Sequence, residues 1–260
     1  MLMLKRLFFA LLLIVSAIFL IEGMAFAEKI AIVYTGNSYA SLYPCRCPKQ
    51  PNGGIARRAT KIKELRKEYQ NLLLLDNGNY FASGAQDPDS QGPESDKKRT
   101  EIYIKAMQMM GYDAIGIGKD EFNFSDGFLE NIIKNNKLDF LSCNLEINGI
   151  KPFLIKKIGK TNIGIIAVSS LQANSGSRQD IAQIAKIIES NLEKIRKKAD
   201  IVILLSQLPS GLDEQLLDDL EGIDIIISSG ISAKYKSGDK INSTIYLKPY
   251  LWVRTLGVLE

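Results

Sequence analysis

Residues 29–35 read KIAIVYT and residues 72–75 read LLLL, and these two apolar runs decide the fold class of the chain. Short runs without polar alternation are typical of strands that are buried on both faces of a sheet. Between them, Ile55, Ala59 and Ile62 recur at the spacing of an amphipathic helix. A strand, a helix and a second strand in this order predict a βαβ unit with parallel strands.

The same alternation continues to the end of the chain. Residues 82–98 are rich in Gly, Pro, Ser and Asp and predict a loop, and two strands between residues 152 and 168 flank Gly159-Lys160-Thr161-Asn162, a hairpin signature. The other predicted helices cover residues 99–110, 125–136 with Ser125 as N-cap, 181–195 and 212–220; the other predicted strands cover residues 113–118, 138–142, 201–206, 223–228, 241–247 and 251–259. We therefore predict an α/β fold with mixed β-sheets flanked by helices, in one domain over residues 28–260.

Composition excludes several classes of function. The chain has 260 residues, with 33 Lys and Arg against 29 Asp and Glu, and it has no histidine. The net charge of +4 is spread along the length, so no nucleic-acid partner is expected. The missing imidazole excludes a serine triad with a histidine base, a His-ligated zinc or di-iron centre, and a haem attached through a C-x-x-C-H motif.

The first 27 residues have the pattern of an export signal. Lys5 and Arg6 precede an apolar run over residues 7–20, and Ala25-Phe26-Ala27 is an A-x-A cleavage pattern. The run is short for a membrane span and has no basic flank after it, so we expect cleavage before Glu28 and no stable membrane anchor. The predicted location is the periplasm or the outside of the cell, where thiols oxidise readily.

The segments at the strand ends resemble the ordered sequence blocks of a known family. The matching segments are residues 32–39 (IVYTGNSY), 53–58 (GGIARR), 75–79 (LDNGN), 110–114 (MGYDA), 118–123 (GKDEFN), 206–208, 222–232 and 256–257. They are similar to those of the 5′-nucleotidase branch of the calcineurin-like metallophosphoesterases, over residues 29–260. The resemblance implies the metallophosphoesterase-like α/β sandwich, and hydrolysis of phosphate esters at two metal ions held by Asp, His and Asn side chains.

This sequence departs from the family at the metal ligands. The resemblance places the ligand positions at Asn37, Tyr39, Asn79, Lys119, Asp120, Asn123, Gln207, Gly230 and Ser232. Asn in place of Asp keeps the shape of the side chain but removes the charge that holds a divalent cation, and Lys119 would bring an ammonium group close to it. We therefore expect that the fold has lost its two-metal centre and holds no metal there.

A residual phosphoesterase with a reduced metal site is the alternative. Asp76, Asp120 and Glu121 are the carboxylates that remain near the ligand positions. A calcium or magnesium ion requires several convergent oxygens, and the same carboxylates serve equally well to cap loops or to pair with Lys119. The loss of the metal centre is therefore the preferred interpretation.

Pro44-Cys45-Arg46-Cys47-Pro48 is a C-x-C motif between two prolines. In the family that this sequence resembles, the loop borders the metal cleft. A neighbouring cation such as Arg46 lowers the pKa of a thiol, and a disulfide across one intervening residue is strained and therefore oxidising. The segment also resembles a branch of exported 5′-nucleotidase-like proteins in which a Pro-Cys-x-Cys loop precedes Gly-Gly-x-Ala-Arg-Arg-Ala-Thr, here residues 53–60.

Three interpretations of the cysteines stay open. Cys45 and Cys47 form a redox pair that acts on a thiol or disulfide partner; they bind a soft metal ion, with Cys143 as a further ligand; or one of them forms a structural disulfide with Cys143. A protein that binds a partner without catalysis is a further alternative. We take Cys45 and Cys47 as the candidate catalytic residues and expect no cofactor.

Overall fold

The computed structural model describes residues 28–170, 181–209, 211–230 and 234–260. The helices in these ranges are α1 (Ile55–Glu68), α2 (Pro93–Met110), α3 (Asp126–Asn135), α4 (Ile181–Arg196) and α5 (Leu212–Asp219). The strands are β1 (Ile30–Thr35), β2 (Asn71–Asp76), β3 (Ala114–Gly116), β4 (Phe140–Leu141), β5 (Phe153–Ile158), β6 (Thr161–Val168), β7 (Ile201–Ser206), β8 (Ile225–Ser228), β9 (Lys240–Ile241), β10 (Thr244–Leu247) and β11 (Gly257–Leu259).

The strands form two mixed sheets. The first has the order β11-β1-β2-β3-β4, and the second has the order β5-β6-β7-β8-β10-β9. β1 and β2 pair in parallel from Ile30 opposite Asn71 to Thr35 opposite Asp76, with α1 as the connection between them. The antiparallel pairs are β1 with β11, β5 with β6, and β9 with β10. The predicted α/β fold with mixed sheets flanked by helices is confirmed.

The apolar strand runs are explained by burial on both faces. Ile32 and Leu73 lie in one buried cluster with Ile163 and Ile203, so this cluster fills the space between the two sheets. Val33, which follows Ile32, faces the other way, into a cluster with side chains of α1, α2 and α3. A further cluster packs α4 and α5 against the outer face of the second sheet. The architecture is therefore a helix–sheet–sheet–helix sandwich.

Helix α2 begins six residues before the predicted start at residue 99. Its first residue is Pro93, and Glu94 and Asp96 lie in its first turn. Proline at the first helical position loses no hydrogen bond, and carboxylates there interact favourably with the helix dipole. The predicted loop over residues 82–98 is therefore too long, because Pro and acidic residues occur both in loops and in the first turn of a helix.

The two closing strands were also predicted too long. Asn242 has a positive φ of 54° and lies in a turn that divides the segment 241–247 into β9 and β10. Trp252 has a φ of 55° inside a short 3-10 turn at Leu251–Val253, so only Gly257–Leu259 continues as strand. Left-handed backbone is incompatible with a strand; Asn242 tolerates it as asparagines do, whereas the sequence gives no signal for it at Trp252.

Export and membrane anchoring depend on the first 27 residues, which lie outside the described residues. In the described part of the chain, no helix is both long enough and apolar enough to cross a bilayer.

Candidate functional site

Three of the predicted ligand positions meet at the carboxyl ends of β1, β2 and β7. Asn79 Nδ2 donates to Asn37 Oδ1 at 2.9 Å and to Gln207 Oε1 at 2.8 Å. Asn79 Oδ1 in turn accepts the backbone amide of Asp120 at 3.1 Å. All polar atoms of the Asn79 side chain are therefore used in hydrogen bonds within the protein.

Gln207 continues this network towards β8. Its Nε2 donates to the carbonyl of Asn77 and, at 2.7 Å, to Ser229 Oγ. Gly230 follows Ser229, and its amide donates to Ser228 Oγ at 3.1 Å. The predicted position Ser232 lies outside the described residues.

The backbone of these loops is held in a left-handed conformation. The φ angles of Asn37, Tyr39 and Asn79 are 51°, 47° and 56°. Asn tolerates this region, whereas Tyr rarely adopts it. The Asn37 amide donates to the Gly78 carbonyl at 2.8 Å, and the Tyr39 amide donates to the Asn79 carbonyl at 3.0 Å. Strained residues of this kind concentrate at functional sites, where the surrounding bonds enforce them.

Asp120 and Asn123 form a second small group, with Lys119 beside them. Asn123 Nδ2 donates to Asp120 Oδ1 at 3.3 Å and to the Ala82 carbonyl at 3.3 Å. Burial raises the pKa of Asp120, while Asn123 and the charge of Lys119 oppose the rise. Lys119 itself is exposed, so its ammonium group is hydrated.

The Glu121 carboxylate serves as a cap for two loops. It accepts the backbone amides of Asn79, Tyr80, Phe81 and Gly118 at 2.5 to 3.1 Å. Burial and the nearby Asp120 raise the pKa of Glu121 to about 8, and the amide bonds act in the opposite direction. These amides occupy the oxygens that a metal ion would need.

Asp76, the third carboxylate considered from the sequence, also accepts hydrogen bonds from groups of the protein. It accepts the hydroxyl of Thr35 at 2.6 Å and the amide of Gly78 at 2.9 Å. Within the described residues, no group of three His, Cys, Asp or Glu side chains is placed to hold a metal ion. Amide side chains bonded to one another and carboxylates bonded to backbone amides do not fit a two-metal centre.

Gln86 and Trp252 form a small cover over Asn37 and Tyr39, and this cover was not predicted from the sequence. Tyr39 Oη donates to Gln86 Oε1 at 3.0 Å, and Trp252 Nε1 donates to the Gln86 carbonyl at 2.7 Å. The Trp252 amide donates to the Asn37 carbonyl at 2.9 Å. Tyr39 and Asn37 are only 3% and 4% exposed. Burial, Asp120 and Glu121 raise the pKa of Tyr39, so its phenol is a neutral donor.

Asp213 is a further buried carboxylate, and it was not predicted from the sequence. It lies on α5, at the carboxyl ends of β7 and β8, and accepts the hydroxyl of Ser206 at 2.6 Å and that of Ser228. Burial raises its pKa from 3.8 to about 6. Its only sequence signal is an acidic residue in a helix turn, which ordinarily indicates an exposed position.

We expect Asp213 to make the protein less stable as the pH rises. Its pKa is higher in the folded state, so the folded protein binds more protons than the unfolded chain between about pH 4 and pH 6. The rise from 3.8 to about 6 corresponds to roughly 3 kcal/mol of unfolding free energy, present below pH 4 and lost as the pH reaches 6. Urea denaturation of wild type and Asp213→Asn at pH 4 and pH 7 measures this difference.

The asparagine variant should lose this component of the pH dependence and be the more stable protein at pH 7. An unchanged pH profile in Asp213→Asn would contradict the assignment.

The C-x-C motif lies in the loop between β1 and α1. The Cys45 amide donates to the Asn52 carbonyl at 2.8 Å, and the Asn52 amide donates to Cys45 Sγ at 3.2 Å. Arg57 on α1 donates to the carbonyl of Pro51. Cys45 is half-buried and Cys47 is exposed. The loop therefore holds Cys45 Sγ in a defined place and leaves it open to solvent.

The Cys45 thiol is stabilised as the thiolate. Backbone amides of Cys47 and Asn52, and then the charges of Arg254 and Arg57, hold its pKa below the usual value. Arg254 also stacks on the Trp252 ring at 4.4 Å, which connects the thiol loop to the cover over Asn37. We predicted Arg46 as the activating cation, and the structure assigns that role elsewhere: Arg46 pairs with Asp89 at 3.5 Å.

Cys143 is in a different environment. All three cysteines are unpaired in the structure. Cys143 follows β4 and packs against the cluster beneath α4 and α5, and burial raises its pKa to about 12. Such a thiol is chemically inert and behaves as a small apolar side chain.

The curated proteins that are similar to this chain include several 5′-nucleotidases. No family model matches the chain. The snake venom 5′-nucleotidase of Gloydius brevicauda is 26% identical over 241 residues, which is 84% of this chain and 40% of that protein. The chain thus spans about 40% of the length of the curated relatives it matches.

Solved structures agree in fold. A 5′-nucleotidase precursor from Thermus thermophilus superposes with a TM-score of 0.71 at 18% identity, over 88% of this chain and 50% of that one. A calcineurin-like phosphoesterase from Bacillus subtilis gives 0.67 at 22% identity, over 88% of this chain and 83% of that one. The fold is that of the metallophosphoesterases. The curated relatives named above are 5′-nucleotidases and the solved structures include a calcineurin-like phosphoesterase, so the resemblance seen in the sequence is confirmed.

Proposed function

We propose that this chain is an exported protein of metallophosphoesterase fold that has lost its two-metal centre and carries out thiol–disulfide exchange at Cys45 and Cys47. The observation that carries the proposal is the position of Cys45 Sγ, 3.2 Å from the Asn52 amide, in a loop whose amides and arginines stabilise a thiolate. The A-x-A pattern before Glu28 supports export. The closed amide network of Asn37, Asn79 and Gln207 supports the loss of the metals.

The exchange proceeds in two steps. The Cys45 thiolate attacks a disulfide of the partner, forms a mixed disulfide, and expels the other partner sulfur as a thiolate. The Cys47 thiolate then attacks Cys45 Sγ, forms the Cys45–Cys47 bond, and releases the second partner thiolate. The protein dithiol loses two electrons and the partner disulfide gains them, so the partner disulfide must be at least as oxidising as the Cys45–Cys47 bond.

A resolving role for Cys47 predicts a trapped intermediate. In Cys47→Ser the mixed disulfide with 2-hydroxyethyl disulfide should persist at Cys45, whereas in wild type it should be replaced by an internal bond. Mass spectrometry under non-reducing conditions measures both species. Cys143→Ser is the matched control and should behave as wild type.

If the adduct persists in both wild type and Cys47→Ser, Cys47 has no resolving role. If Cys47→Ser forms no adduct at Cys45, the thiol function is contradicted and the alternative is a protein that binds a partner without catalysis. A soft metal ion is less favoured than a redox pair, because Cys143 packs against a separate cluster.

Hydrolysis of phosphate esters is the second candidate, and the names of the relatives favour it. We expect no turnover of nucleotides or of p-nitrophenyl phosphate with added Mn(II) or Mg(II), because Asp76 and Glu121 accept backbone amides and a hydroxyl and Asp120 accepts the side-chain amide of Asn123. Turnover that saturates with the metal and disappears in Asp120→Ala would show that a reduced metal site survives.

A further inference from the structure

An apolar surface runs along α1 and α2 and reaches the C-x-C loop. Two adjoining cavities of about 400 and 430 Å³ form it, and both are lined by Ile55 and Ala56. Pro44, the residue before Cys45, lines the first cavity, and Met109 lines the second. We call this the α1–α2 groove. It begins at the residue next to the reactive thiol.

Large apolar side chains are exposed on this groove. Tyr43, Ile102 and Met109 are 75%, 49% and 87% exposed. They are three of the five large apolar side chains that the described residues leave exposed, the other two being Tyr250 and Val258. Contiguous exposed apolar area of this kind marks an interaction surface, and methionine adapts to different partner shapes.

The charges on the groove have one sign. The charged residues that line the two cavities are Arg57, Lys63 and Arg66. On α2, Glu101 and Lys105 are both exposed and lie one turn apart, so their charges balance and the basic character of the groove comes from α1. Cations around an apolar centre are complementary to a partner that carries carboxylates around apolar side chains.

We propose that the α1–α2 groove docks an acidic, apolar segment of a partner protein, whose disulfide is thereby presented to Cys45. This inference rests on the proposed thiol function, and it names the partner as a protein instead of a small thiol. The continuity of the groove with Pro44 carries the argument, because a segment seated between α1 and α2 ends beside Cys45. The basic residues along the groove determine the charge of the partner.

The test compares two synthetic peptides that differ only in charge. Each has four Leu and one Cys, with four Glu in the first and four Lys in the second, and the Cys carries a 2-nitro-5-thiobenzoate leaving group. The mixed disulfide of 2-mercaptoethanol with the same group is the small probe. Release of the coloured thiolate from protein that carries Cys47→Ser measures attack by Cys45, because Cys47 is also an exposed thiol.

We expect the acidic peptide to react about tenfold faster than the basic one, because opposite charges raise the encounter rate and apolar contacts prolong it. In Lys63→Glu this advantage should fall about threefold or more, and in Met109→Ser the rates of both peptides should fall about threefold or more, while the rate with the small probe stays unchanged in both variants. Val258→Ser is the matched control, since Val258 is an exposed apolar residue on β11, away from the groove, and it should behave as wild type.

The outcomes separate the two proposals. A small probe that does not react at Cys45 overturns the thiol function, and docking is then measured alone by fluorescence anisotropy of labelled acidic and basic peptides on Cys45→Ser protein. Equal rates and equal binding for both peptides, or an unchanged advantage in Lys63→Glu together with unchanged peptide rates in Met109→Ser, overturn the docking proposal. A wild-type dimer in sedimentation velocity that Met109→Ser dissociates would assign the groove to a second copy of the chain and also overturn it.

Discussion

Alkylation with iodoacetamide at pH 7 should modify Cys45 at least about 100-fold faster than Cys143. A thiol with a pKa of about 12 is ionised to roughly one part in 10⁵ at pH 7, against about 3% for an ordinary thiol. The two thiolate fractions differ by about 3.5 powers of ten. The stronger nucleophilicity of the more basic thiolate offsets only about 1.5 of them, which leaves a factor of about 100 in the rate. The amides and arginines around Cys45 act further in its favour, because they increase its thiolate fraction.

Timed quenching followed by peptide mapping measures the two rates. Arg254→Gln should slow the reaction at Cys45, because its charge acts on that thiol. Arg46→Gln is the matched control and should leave the rate unchanged, since Arg46 pairs with Asp89. Equal rates at Cys45 and Cys143, or a larger effect of Arg46→Gln, would contradict this account of the thiol.

Replacing Asp76 with asparagine should cost about 3–5 kcal/mol of unfolding free energy, because it leaves the buried Arg58 guanidinium without its counter-charge. Asp76 and Arg58 are 0% and 3% exposed. A chain of hydrogen bonds joins them: Arg58 Nη1 to Tyr112 Oη at 3.1 Å, Tyr112 Oη to Thr35 Oγ1 at 2.9 Å, and Thr35 Oγ1 to Asp76 Oδ2 at 2.6 Å. Arg58 also opposes the rise that burial causes in the pKa of Asp76.

A double-mutant cycle in urea separates the charge pairing from simple packing. Arg58→Met alone should also destabilise the protein, while Arg58→Met combined with Asp76→Asn should lose less than the sum of the single changes. Additive losses, or a loss below about 1 kcal/mol in Asp76→Asn, would show that the two charges do not depend on each other.

The fold could be predicted from the chain because its signals are local. The run at residues 29–35, the helical spacing from Ile55 and the Gly159-Lys160 turn each specify their own element, and the sheets follow from their order. The predicted bounds of helices and strands were wrong where the conformation of a single residue differs from the one that the surrounding sequence pattern predicts. Pro93 starts a helix within a loop-like composition, and Trp252 takes a left-handed backbone inside an apolar run.

The position of the candidate site in the fold could be predicted from the sequence, but the side chains that surround its residues could not. The meeting of Asn37, Asn79 and Gln207 follows from strand ends that share one edge of the sandwich. The cover that Gln86 and Trp252 form depends on contacts between residues 166 positions apart, which no local pattern encodes. The sequence neighbour Arg46 was predicted as the cation at Cys45, whereas backbone amides of Cys47 and Asn52 lower the pKa of that thiol most, and the charges of Arg254 and Arg57 follow.

The most direct test of the central claim is a redox titration of the folded protein, read out by alkylation and peptide mapping. We expect a Cys45–Cys47 bond that a mild dithiol reduces without unfolding the protein, with a potential above about −300 mV. A bond from Cys143 to either Cys45 or Cys47 that resists reduction until the protein unfolds would contradict the claim and leave the C-x-C loop with a structural role.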